Sequence, residues 1–164
     1  ERQSISAVAI ALGPGSWSGL RVGMSTAKGL ALALGVPIVG IGTLEALNYQ
    51  FAGLGLPVVP LIRLGRDRYA TFDRQLREAR NVTLEALAAE IGDRVLFCGD
   101  VDADVRRTLA GLLGERARFP GSAQAFRRPG FLAELAWQRV QSGAVDDLAT
   151  LEPIYLGQAV RSAP

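Results

Sequence analysis

The sequence predicts an α/β protein with mixed strand directions, on three observations. Short apolar runs at residues 5–12, 37–41, 56–61 and 95–98 alternate with segments of helical periodicity. The junctions after residues 12, 41 and 98 carry glycine together with serine, threonine or aspartate, residues that turn a chain or cap a helix. Residues 65–73 instead combine a Gly65-Arg66-Asp67 turn signal with period-two alternation, which suits a half-exposed hairpin strand. With 164 residues, 49% of them hydrophobic, the chain can bury a core in one compact domain or two small lobes.

Residues 5–12 are apolar enough for a strand covered on both faces. The stretch Gly13-Pro14-Gly15-Ser16-Trp17-Ser18-Gly19-Leu20-Arg21-Val22-Gly23 follows, and its glycines allow backbone conformations or close approaches that a β-carbon resists. Ser18 is the expected cap of a helix over 19–34. Within that helix Gly19, Gly23, Ala27 and Ala31 recur every fourth residue, giving a face of almost no bulk beside a ridge of Leu20, Met24 and Leu34, while Arg21 and Lys28 mark a polar side. Glycine in a water-facing helix costs about 0.5–1 kcal/mol against alanine, so Gly23 and Gly29 point to a close neighbour. Two readings fit: packing on the chain's own sheet, or a helix–helix interface with a partner.

Residues 37–41 form a short strand, after which Thr43 is placed to cap a helix bearing Leu44, Ala46 and Leu47. Residues 56–61 and 68–73 are strands around the hairpin turn, and 83–91 is a capped amphipathic helix. The strand 95–98 precedes a helix over 102–113 with Leu109, Leu112 and Leu113 inward. A last helix, 129–140, carries Phe131, Leu135 and Trp137, and residues 151–156 read as a segment docked on the body.

The glycine loop lacks the Gly-Lys-Ser/Thr ending of a phosphate loop and the spacing of the dinucleotide fingerprint. Lys28 lies roughly two and a half turns beyond Gly19, too far to clamp a phosphate there. Cys98 is the one cysteine and sits in an apolar strand, so it reads as a core residue and no intrachain disulfide can form. With no histidine, histidine metal sites and Ser-His or Cys-His arrangements cannot be completed. A net charge of +2 is a weak argument for a nucleic-acid partner, because acidic and apolar segments separate Arg63/Arg66/Arg68, Arg106/Arg107, Arg116/Arg118 and Arg127/Arg128. The longest apolar stretches are all interrupted, so no membrane span is expected, and a reducing, cytoplasmic compartment is the simplest reading.

The loop from Gly13 to Gly23 resembles that of the TsaB (YeaZ-type) family, in which it reads Gly-Pro-Gly-Ser-Phe-Thr-Gly-Leu-Arg-Val-Gly; Trp17 and Ser18 are the two differences. Ala27-Lys28-Gly29-Leu30-Ala31, Gly35-Val36-Pro37 and Gly40-Ile41-Gly42-Thr43-Leu44-Glu45-Ala46-Leu47 are similar to the family as well. Near the end, Pro153-Ile154-Tyr155-Leu156 resembles the family's Pro-Val-Tyr-Leu-Arg, with Gly157 in place of the arginine. The resemblance implies an actin-like/sugar-kinase/Hsp70 ATPase fold with RNase H-like lobes. Members begin with strands and a helix before this loop, and a chain starting at Glu1 without Met is expected to lack those N-terminal strands of the first lobe. Residues 1–55 would be the remainder of that lobe, and 56–164 a second lobe with a C-terminal segment returning to the body. Leu64 and Arg66 also depart from the family's Asp-Ala-Arg before the hairpin.

The family's paralogous catalytic subunit is similar at Gly42 to Leu47 but reads Asn-His-x-x-Gly-His there, two metal-binding histidines one helical turn apart. Thr43 and Leu47 stand at those positions. The resemblance therefore implies a non-catalytic partner of the threonylcarbamoyl transferase that modifies adenosine 37 of tRNA. It further implies a small P-loop ATPase in the assembly, ATP or ADP only at the assembled complex, tRNA contacted mainly through the complex, and a homodimer as a competing state. Gly13, Pro14, Gly15, Ser16, Trp17, Ser18, Gly19, Leu20, Arg21, Gly23, Met24 and Ala27 are the loop and partner-interface candidates. The alternatives are an actin-like small-molecule kinase, with Asp67, Asp73 and Asp100 as available acids, and a direct RNA binder, which would require the arginine groups to converge on one face.

Overall fold

In the computed structural model, which describes residues 5–72 and 78–156, the first sheet pairs β1 (Val8–Gly13) with β2 (Ile38–Gly42) in parallel. Parallel neighbours need a crossover, and α1 (Trp17–Leu34) supplies it. Val8, Ile10, Leu12 and Ile38 face α1, while Ala9, Val39 and Ile41 face α5 (Pro129–Gln141) on the opposite side. Both faces of β1 are covered as its composition suggests, although its four interior residues are only half-buried. Gly40 makes room for this packing, since a β-carbon there would lie 2.4 Å from Leu12 Cδ2.

After α2 (Thr43–Phe51) and a 3₁₀ turn, the chain builds a second sheet in the order β5-β4-β3-β6-β7. β3 (Val58–Gly65), β4 (Arg68–Phe72) and β5 (Ala79–Val82) are antiparallel neighbours; β6 (Val95–Gly99) and β7 (Ala117–Arg118) are added in parallel. The period-two rule is plain in β6, where Val95 and Phe97 pack under α3 (Leu84–Ala89) and α4 (Ala103–Leu113) while Leu96 and Cys98 face Leu44, Leu47 and Phe51 of α2.

The structure corrects several local readings. Ser16, not Ser18, caps α1: its Oγ accepts the Gly19 N–H at 3.4 Å, which leaves Ser18 exposed in the first turn. Gly42 takes the cap position of α2, and Thr43 is buried as its first residue. Thr83 does cap α3, and Asp102, which the sequence reading did not name as a cap, caps α4. β5 and β7 were not legible because they are four and two residues long. Leu112 faces solvent, and on α5 Ala136 is the buried residue while Trp137 stays 49% exposed. The small residue is what allows α5 to lie close on Val39 and Ile41. Asp73 and Gly157 lie outside the described residues.

The outer edge of β2 is closed by side chains. Asp146 Oδ2 accepts the Gly40 N–H at 2.7 Å, Arg139 Nη1 donates to the Gly40 carbonyl at 2.7 Å, and the two side chains pair at 3.0 Å. This pair takes the place of a neighbouring strand, satisfying both backbone groups and blocking edge pairing.

Candidate functional site

The two stretches set apart by the sequence at opposite ends of the chain meet. Gly13 has φ 106°, and a β-carbon there would lie 2.8 Å from the Ile154 carbonyl and 2.9 Å from Leu20 Cδ1. Only glycine allows both that conformation and that approach. The Ile154 N–H donates to the Leu12 carbonyl at 2.7 Å, and the Tyr155 ring lies 4.2 Å from Trp17. Arg21 lies over the other partner of this pair, 5.6 Å from the Trp17 centroid. The C-terminal segment is thus a strap over the glycine loop, held there by a backbone bond and an aromatic contact, with Leu151 and Leu156 packed into the two neighbouring cores.

From Gly23 to Ala31 the stripe of small residues on α1 faces the chain's own sheet, while Gly19 at its start is exposed. Met24, Ala27 and Ala31 are buried with Val8 and Ile38, and a β-carbon on Gly23 would lie 3.4 Å from Ile10 Cδ1. Of the two readings of this stripe, helix-on-sheet packing is the one the structure contains. Leu20 folds over Gly13, Gly13 and Pro14 are buried, Gly15 is half-buried, and Ser16, Trp17, Ser18, Gly19 and Arg21 are exposed.

A different face of α1 is open. Ser18, Val22, Ser25, Thr26, Gly29 and Ala33 lie on it, flanked by Leu30 and Leu32, and no charged side chain interrupts them. Val22 is 67% and Leu32 72% exposed. Arg21 is drawn aside onto Trp17, and Lys28 Nζ donates to the Ala149 carbonyl at 3.3 Å. An ordinary surface helix carries charge on its solvent side, whereas this face presents small, hydroxyl and aliphatic side chains. Of the loop and interface candidates Ser18 lies on this face, while Val22, Ser25, Thr26, Gly29 and Ala33 were not among them; the signal for them was the lack of charge at positions 18, 22, 25, 29 and 32.

A cavity of about 400 Å³ lies between the first turns of α1 and α5 and the body of α2, mostly apolar, with Arg127 and Arg128 at its margin. A wider cleft of about 950 Å³ runs between the two sheets. Thr43 and Leu47 do share one face of α2, but Leu47 is buried against Ile62 and Cys98. Of the candidate acids among the described residues, Asp67 sits at the hairpin turn with φ 57°, and Asp100 is engaged by Arg127 and by the Arg63 N–H. Among the described residues no three His, Cys, Asp or Glu side chains cluster as metal ligands, and no helix is long and apolar enough to cross a membrane.

Cys98 is fully enclosed, and burial pushes its thiol from 9.0 up to about 12 against a weaker opposing pull from the Arg127 charge. The native thiol is therefore expected to resist maleimide at neutral pH and to react at the rate of unfolding. The unfolded thiol ionises first, so this group withdraws stability as pH rises from 9.0 toward about 12. Rapid stoichiometric labelling of folded protein would contradict the burial.

The family described as TsaD, tRNA N6-adenosine threonylcarbamoyltransferase, matches residues 1–99. The tRNA threonylcarbamoyladenosine biosynthesis protein TsaB of Bacillus subtilis is 30% identical over 98% of this chain and 73% of its own length. This chain belongs to the TsaB (YeaZ-type) family. An uncharacterised Mycobacterium tuberculosis protein is also 30% identical, over 93% of this chain, which spans 64% of that relative. The Moorella thermoacetica tRNA N6-adenosine threonylcarbamoyltransferase is 35% identical over 56% of the chain. Among solved structures, YeaZ from Pseudomonas aeruginosa superposes with a TM-score of 0.69 at 21% identity, covering 95% of this chain and 76% of that one. The TsaB-type fold seen here is accordingly the actin-like α/β fold.

Proposed function

We propose that this chain is a non-catalytic scaffold and activating partner of the threonylcarbamoyl transferase that modifies adenosine 37 of tRNA. The observation that carries this reading is the uncharged open face of α1, backed by a helix whose small side is already spent on its own sheet. The similarity to the Bacillus subtilis TsaB protein supports the pathway. Similarity to the Moorella thermoacetica transferase supports the partner, because two chains built on related lobes can pair through equivalent helices in a pseudo-twofold arrangement. Residues 1–55 supply the pairing surface, and residues 56–164 the second lobe and the strap. A homodimer through the same face competes with this pairing. A small P-loop ATPase completes the assembly, with ATP or ADP bound at the complex.

Thr43 and Leu47 stand where the catalytic paralogue places its two histidines, and Leu47 is a core side chain here. With threonylcarbamoyl-adenylate and tRNA supplied, the chain alone is therefore expected to form no modified tRNA, and product is expected only when the catalytic subunit is added. Turnover by the chain alone overturns the non-catalytic assignment.

A further inference from the structure

Arginines that are separated in sequence meet around Asp100. The Arg63 N–H donates to Asp100 Oδ2 at 2.9 Å, and the Arg127 guanidinium pairs with Asp100 Oδ1. The Arg63 guanidinium pairs with Asp102 and lies 5.1 Å from the centroid of the Tyr69 ring. Farther out on the same hairpin, Arg66 lies in the turn and Arg68 stands opposite Gly65, both exposed. Arg128 follows Arg127 on its loop. Arg66, Arg68 and Arg128 have no carboxylate at ion-pair distance among the described residues. Two carboxylates thus hold two guanidinium groups in place, and three further exposed arginines on the same hairpin and loop are not offset by a carboxylate.

The loop that carries Arg127 and Arg128 is held rigid. The Gln50 amide donates to the Gln124 and Phe126 carbonyls at 3.2 and 2.9 Å and accepts the Arg128 N–H at 3.2 Å. The clamp fixes Phe126 in the open, 72% exposed, beside the arginines. No packing need places a phenylalanine there.

We propose that Phe126, Arg63, Arg66, Arg68, Arg127 and Arg128 form an RNA-binding surface, with phosphates along the arginines and an unstacked base on the Phe126 ring. The proposal rests on the tRNA reading above and adds direct contact by this chain. RNA is favoured over an acidic protein because an open aromatic ring on a loop that carries two arginines suits base stacking beside phosphate contacts, whereas acidic side chains need no ring.

The test is binding of an unmodified tRNA transcript to the full chain by fluorescence anisotropy across a salt series, for wild type, Phe126→Ala, and a triple Arg66→Ala, Arg68→Ala, Arg128→Ala variant. All four positions are exposed, and circular dichroism checks the fold. The triple variant is expected to weaken binding at least about 10-fold and to flatten the log–log salt slope by about 2–3. Phe126→Ala is expected to weaken binding about 5- to 100-fold with little change in slope. Variants that bind like wild type overturn the proposal, as does competition by polyglutamate equal to that by tRNA with Phe126→Ala silent, which would make the surface a protein-binding one. Assembly with the catalytic subunit is measured in parallel. Normal assembly and activation with no tRNA binding by the chain rejects this surface alone; arginine-dependent tRNA binding without assembly rejects the scaffold reading alone.

Discussion

Replacing Gly99 with alanine is expected to cost more than about 3 kcal/mol of stability, the largest loss expected among the described glycines. Gly99 has φ 93°, and its β-carbon would lie 2.2 Å from the Leu61 carbonyl oxygen and 3.1 Å from Leu47 Cδ1. The first neighbour is backbone in the middle of β3 and cannot swing away. That same oxygen accepts the Asp100 N–H at 2.7 Å, so any shift that relieves the overlap breaks a bond at the point where β6 leaves the sheet. Conformational strain of about 1–3 kcal/mol adds to the overlap, and in a chain of this size each kcal/mol lowers the thermal midpoint by about 2–4 °C. A fall of about 10 °C is therefore expected in a thermal melt. Gly111 on α4 is the control: nothing lies within 4 Å of its β-carbon, and its φ is ordinary, so alanine there is expected to be neutral or stabilising by up to about 1 kcal/mol. A Gly99→Ala protein that melts with wild type would show that β3 and β6 are not locked at this position.

Much of the fold was legible because its signals are local. The apolar runs, the capped start of the helix at Thr83 and the hairpin turn each act within a few residues, and each was found where the sequence placed it. The features that shape the site act over long separations. Nothing near Gly13 announces that Ile154 will approach it, and nothing near Arg63 announces Arg127. The cap of α1 fell two residues early because Ser16 and Ser18 are chemically equal as caps, and only the path of the loop decides between them. The seat of α1 was one of two readings that its sequence leaves open. Small residues read equally well as a partner seam or as a seat on a sheet, and the β-carbon of Gly23 pointing at Ile10 decides for the sheet.

That orientation yields the second large effect. Val22→Glu, and Leu32→Glu independently, are expected to weaken pairing with the catalytic subunit by at least about 100-fold, since either charge would be buried without a partner in the assembled interface. The isolated chain should fold as before, because the two side chains are 67% and 72% exposed. Gly23→Leu is expected to do the reverse. Its side chain meets Ile10 within the core of the first sheet, so it lowers the thermal midpoint by overpacking before it touches any partner. Calorimetric titration with the catalytic subunit, paired with thermal unfolding of each variant, separates these outcomes. Sedimentation of the chain alone adds the third: if Val22→Glu abolishes a self-associated species and leaves the heterologous affinity intact, the face belongs to a homodimer. If neither association changes in a folded Val22→Glu protein, the open side of α1 is not the pairing surface, and the scaffold reading loses the observation that carries it.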